Sequence, residues 1–224
     1  MSKPAHLPLY LSIELDGPTT EDLQSKIKAL VPGVDYSKYE VQRGVTDPAH
    51  LTLIFAKDLP LEDYKQYLDR YRPQVDHAFE IEVHGVSIDD HCVAVLAYPR
   101  NLDFHPPNRY PHLTMMLHAQ QPVYSNSLML TIFDHIANDG PFTVTETNGV
   151  RQLSLTPKLD QSQKSESKAE TPFNPTKATF YAFPNHMTIK GHLKAMGFFH
   201  PKKPKPNTES KTGPKPNTES KNKA

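Results

Sequence analysis

Two strings in this chain, His50-Leu51-Thr52-Leu53 and His112-Leu113-Thr114-Met115, repeat one pattern of histidine, apolar residue, threonine, apolar residue, and each opens an apolar, strand-like run. Alternate side chains of a strand share a face, so His50 and Thr52 leave one strand together, as do His112 and Thr114, while the leucines and Met115 turn into a core. A fold that uses both strings must set two strands side by side with their polar faces turned the same way. Such a pair collects two imidazoles and two hydroxyls, a set suited to an anionic tetrahedral centre. One imidazole takes a proton from attacking water, the other gives one to the leaving oxygen, and the hydroxyls hydrogen-bond the charged oxygens. A chain of this composition yields about 0.2 matches to the pattern by chance. Three are present, the third being His186-Met187-Thr188-Ile189. It follows a polar stretch and precedes a lysine-rich one, so it is expected to lie outside the core that the first two strings share.

The first 157 residues read as alternating strands and helices. Residues 7–15 carry Leu9, Leu11, Ile13 and Leu15 at a period of two, with Tyr10, Ser12 and Glu14 opposite. Thr19 or Thr20 can cap a helix running to residue 30, with Glu21 and Asp22 in its first turn, and Pro32-Gly33 ends it. The first motif strand, 50–55, precedes an amphipathic helix at 61–71, and the spans 79–88 and 92–98 read as a hairpin. Pro111 sets the second motif at the start of a strand, because proline cannot donate to the ladder. Ser125 or Asn126 caps a helix to residue 137, and 142–147 with 150–155 form a last pair of strands. The expected class is α+β with two loosely repeated lobes flanking a cleft, one motif from each.

With 37% hydrophobic residues in 224, the chain can bury one domain-sized core. Residues 158–175 are rich in Gln, Ser, Lys and Glu and read as a linker that cannot offset its ordering entropy by burial. Apolar residues return at 176–200, which is expected to add a strand and a short helix at 191–196 as a docking segment for the core or for a protein partner. The sequence Pro-Lys-Pro-Asn-Thr-Glu-Ser-Lys at 204–211 recurs unchanged at 214–221, so 201–224 reads as a low-complexity tail.

Charge excludes some functions. Basic and acidic residues balance at 25 each, which leaves no global footprint of a protein that coats nucleic acid. The single Cys92 provides neither a disulfide framework nor a thiolate cluster and reads as a small core residue. No N-terminal apolar leader and no run of roughly 18 apolar residues is present, so a cytoplasmic monomer without membrane contact is expected. Despite twelve histidines there is no H-E-x-x-H or Cys/His ligand spacing, and neither a metal nor a cofactor is expected.

The paired strings and their strand contexts resemble the 2H phosphoesterase superfamily over residues 1–157. The stretch Asn108-Arg109-Tyr110-Pro111-His112-Leu113-Thr114 is similar to the cyclic phosphodiesterase domain of fungal-type tRNA ligases. This resemblance implies a bilobal fold of two pseudo-symmetric lobes, with antiparallel sheets lining a central cleft and helices outside. It implies cofactor-free opening of a 2′,3′-cyclic phosphate at an RNA 3′ end or on a small nucleotide, leaving a 2′-phosphate. Cleavage of 2′–5′ linkages in oligoadenylate or cyclic oligonucleotides is the alternative chemistry, and a non-catalytic RNA-end-binding module the alternative class. The superfamily's catalytic positions fall on His50, Thr52, His112 and Thr114. A phosphate benefits from a cation and a base from an aromatic face, which nominates Tyr10, Lys57, Arg109, Tyr110 and Tyr124 for substrate binding. His105 and His118 flank the second motif and are read as solvated.

Overall fold

Apolar alternation produces the first strand, β1 (Tyr10–Leu15), which buries Leu11, Ile13 and Leu15. The computed structural model describes residues 7–102, 107, 109–155 and 178–197. Asp16 caps α1 (Gly17–Leu30), its carboxylate accepting from the Thr19 N–H at 2.7 Å, so the cap lies just ahead of the two threonines that the sequence nominates. Thr20 faces inward instead, donating to the Asp16 carbonyl at 2.9 Å and accepting from the Ala49 N–H at 3.2 Å. The order continues as β2 (Val41–Gln42), β3 (His50–Phe55), α2 (Leu61–Tyr71), β4 (Ala78–Ile88), β5 (Cys92–Pro99), β6 (His112–Leu117), α3 (Tyr124–Ala137), β7 (Phe142–Thr147), β8 (Val150–Leu155) and β9 (Thr179–Met196). None of the described helices is long and apolar enough to cross a membrane.

All strand pairs are antiparallel, in the order β1-β3-β6-β5-β4-β9-β8-β7, with β2 on β6 and a further pairing of β1 with β9. That last pairing closes the sheet, and β8 and β7 extend from β9 as a hairpin. Among the described residues the architecture is therefore α+β, three α-helices on a closed antiparallel sheet.

The stretch expected as an appended strand and short helix at 176–200 differs in the structure. Thr179–Met196 is one strand of 18 residues, paired with β4 through residues 179–182 and 187–192 and with β1 through residues 191–196. At Gly191 a Cβ would lie 2.7 Å from Ile13 Cγ2 and 2.8 Å from the Glu14 carbonyl. This glycine admits a close backbone approach between strands and does not begin a helix. The linker expected at 158–175 and the tail at 201–224 lie outside the described residues.

Two cores occupy the two sides of the sheet. The larger takes Leu51, Leu53, Leu113 and Met115 from the motif strands, Leu23 and Ile27 from α1, and Tyr64, Leu68 and Tyr71 from α2. In the smaller, Leu128, Met129 and Ile132 of α3 pack on Cys92, Ala94 and Leu96 of β5 and on Phe180 of β9. Cys92 is thus a buried core residue, its thiol pushed up by desolvation.

Candidate active site

Strands β3 and β6 meet through the Cα pair Leu51 and Leu113. Carrying that antiparallel register one residue each way sets His50 opposite Thr114 and Thr52 opposite His112, a local two-fold about the leucine pair. Because both leucines lie in the larger core, the histidines and threonines face the other side, the side that α3 covers. The four residues nominated from the sequence therefore share one patch of the sheet.

The second motif is the more enclosed. His112 is only 7% exposed, with its Nδ1–H donating to the Tyr110 carbonyl at 2.8 Å and its Nε2 lying 2.9 Å from Ser125 Oγ. Thr114 donates its hydroxyl to the same Ser125 Oγ at 2.8 Å, and that oxygen lies 2.8 Å from the Pro122 carbonyl. Ser125 has one proton to place. Beside a neutral His112 it donates to Nε2, and beside an imidazolium it accepts from Nε2 and turns its own proton to Pro122. Burial holds His112 below the ordinary imidazole value of 6.5, opposed by the Tyr110 carbonyl.

The first motif is more open. The His50 ring stacks on Tyr10, centroids 5.8 Å apart and planes 26° from parallel. Burial lowers His50 as well, followed by the positive charge of Arg43, with Asp47 opposing and His112 adding to the depression. The charge of His112 thus reaches His50.

The fold is similar to that of a fungal RNA kinase. The solved structure of that kinase matches 86% of this chain at a TM-score of 0.53 and 10% sequence identity, and the chain spans 45% of the kinase's length. No protein-family model matches the sequence, and no curated protein does. At this identity the likeness concerns the course of the backbone; the site rests on the geometry above.

The nominated binding residues divide. Tyr10 joins the site through its stack on His50, and Tyr110 through the carbonyl that orients His112. The Tyr110 hydroxyl donates to Asp134 of α3 at 3.0 Å, and Arg109 pairs with the same carboxylate at 2.8 Å while lying over the Tyr110 ring. Lys57 follows β3 and sits over the Phe55 ring. Tyr124 donates to the buried Asp89 carboxylate at 2.6 Å, at the turn joining β4 and β5. His105 lies outside the described residues. Two groups beside the motif residues escape the sequence reading. Ser125 reads there only as a helix cap. Arg43 carries no motif, and what brings it close is the pairing of β2 with β6 and the bond from its N–H to the Met115 carbonyl at 2.8 Å. A shallow depression of about 510 Å³ beside α2, lined by Leu59, Asp63, Gln66, Tyr67 and Arg70, includes none of these residues.

Proposed function

We propose that this protein is a phosphodiesterase that opens 2′,3′-cyclic phosphate at RNA or nucleotide ends, with His50 and His112 as its acid–base pair. The antiparallel register that sets each histidine opposite the other motif's threonine carries this reading. It gives an anionic phosphate two imidazoles and two hydroxyls arranged about one local axis. On this reading the two motif strands belong to lobes related by approximate two-fold symmetry. The backbone likeness to an enzyme named for RNA supports a substrate of that class.

The chemistry follows from the electrostatics. Both imidazoles are depressed below 6.5, so both are neutral in the free site at pH 7. A phosphate anion between them favours protonation of one, because an adjacent opposite charge stabilises the imidazolium. The neutral imidazole then takes a proton from water as the water oxygen bonds to phosphorus. The P–O3′ bond breaks, the imidazolium protonates O3′, and a 2′-phosphate remains. The orientation of the bound cyclic phosphate decides which histidine is base. Thr52 donates to a non-bridging oxygen; as phosphate binds, the Thr114 hydroxyl and His112 Nε2 exchange their bonds to Ser125 Oγ for bonds to the phosphate, Ser125 keeps its bond to the Pro122 carbonyl, and the Tyr110 carbonyl continues to hold His112 Nδ1–H.

Product analysis tests this reading. The purified protein is incubated with 2′,3′-cyclic nucleotides, RNA ending in a cyclic phosphate, and 2′–5′ oligoadenylate. Release of a 2′-phosphate from the cyclic ends is expected. Cleavage confined to the 2′–5′ substrate would overturn the substrate assignment, and silence on all three would leave a binding module.

A further inference from the structure

A second group of reactive side chains lies on β4 and β9. Glu82, His84 and His186 each present one ligand atom, a carboxylate oxygen or an imidazole nitrogen, and these atoms lie within 4.8 Å of one another. His186 opens the third string of the histidine–threonine pattern, expected from its position to lie outside the core of the other two; instead its Ile189 joins the larger core and Met187 packs against it, because β9 is a strand of the same sheet.

The backbone is shaped at this point. The register of β4 with both neighbours shifts between Val83 and Gly85, which leaves His84 outside the ladder, and β9 steps from Met187 to Ala182 at the same place. Residues 183–186 are thus carried out of register, and such irregularities re-aim side chains. Gly85 permits the arrangement, since a Cβ there would collide with the Tyr181 carbonyl and the Phe180 ring. Glu82 and His84 flank the fully buried Val83, so both leave the larger core's side of the sheet.

Neighbouring side chains orient the three groups. Arg100 Nε donates to Glu82 Oε2 at 2.7 Å, which turns Oε1 to the imidazoles. His186 Nδ1 hydrogen-bonds that oxygen, and His84 Nε2 lies 3.8 Å from it. The imidazole centroids are 3.8 Å apart, and Tyr98 meets the His84 ring edge-on at 5.1 Å.

We propose that Glu82, His84 and His186 bind a divalent transition-metal ion of the zinc class, with Arg100 positioning the carboxylate. Two imidazoles and one carboxylate are a borderline donor set that suits zinc better than the oxygen-seeking magnesium or calcium. Coordination replaces the hydrogen bond from His186 to Glu82, so His186 binds through Nδ1 as the tautomer whose proton sits on Nε2. Water or a ligand fills the remaining positions. None of the three residues belongs to the His50–His112 pair, so this inference and the proposed hydrolysis stand or fall separately.

The full chain is titrated with Zn²⁺ against a chromophoric chelator, and with Co²⁺ followed by its visible absorbance. One equivalent bound in the micromolar range or tighter is expected. His186→Ala and Glu82→Gln should each weaken that equivalent at least about tenfold and remove the Co²⁺ bands, and Arg100→Gln should weaken it about tenfold. His135→Ala, at the end of α3, should leave it unchanged. Melting of each variant in chelator shows that the fold is retained, and the exposed His186 makes its alanine variant the safest of the set. Zinc binding weaker than about 100 μM, or a tight equivalent that survives His186→Ala, overturns the proposal.

Discussion

The two motif strands carry the same four-residue pattern and give their histidines different surroundings. His112 lies beneath α3, held through both ring nitrogens, whereas His50 stacks on Tyr10 and feels Arg43 and Asp47 of the preceding loop. The spacing of a motif settles which face a side chain takes. What covers that face is decided by a helix or loop distant in sequence, here α3 on one strand and residues 43–47 on the other. Two chemically equal groups thereby acquire unequal freedom.

The largest expected effect probes what they share. His50→Ala and His112→Ala should each cut turnover about a thousandfold while leaving ligand affinity within an order of magnitude. Melting should then separate them. His112→Ala strands the Tyr110 carbonyl and opens a cavity beside Ser125, which keeps Thr114 and Pro122 as partners, a loss of about 1–3 kcal/mol, whereas His50→Ala gives up chiefly a ring stack. Equal losses in melting temperature would break the comparison.

A smaller effect belongs to Ser125 alone. Ser125→Ala should lower kcat about tenfold with KM little changed, and move the limb of the pH–rate profile that belongs to His112 while the limb of His50 stays in place. A profile that merely scales down would reduce Ser125 to packing.

The smallest effect concerns pH. Two imidazoles of opposite protonation give a bell, for which the sequence alone places the optimum near neutrality. Burial of both histidines moves the kcat/KM optimum of the free enzyme to the acid side of 6.5. Stability follows the same sign. As pH falls through 6.5 the unfolded chain takes up protons that the folded histidines refuse, so folding weakens until the folded values are reached. The slope below pH 6.5, measured by denaturant titration, should shrink in His112→Ala, and a slope that persists unchanged there would refute this origin.

Much of this was legible from periodicity. The bounds of β3 and α2 coincide with those read from residue spacing, because His50–Leu53 alternates with a period of two before the apolar Ile54-Phe55, and Leu61–Tyr71 keeps a helical period. β9 was misread for a physical reason. Pro184, Asn185 and His186 interrupt its apolar alternation where the strand leaves register, and Gly191 looks like a break when it is a point of close contact with β1. In the site, all four motif residues were legible and Ser125 was not, since a serine at a helix start is accounted for by capping. The cluster on β4 and β9 escaped a search by spacing because 104 positions separate Glu82 from His186.

The pairing of β9 with β1 also governs how the molecule comes into being. Residues 10–15 find their partners at 191–196, so the chain must be made past residue 191 before the ring can shut. Until then β1 and β4 each present an open edge to any neighbouring chain, and closure must draw together segments with the greatest separation the fold contains. Folding is therefore slow and late, with its window of vulnerability to aggregation placed before the last strand arrives.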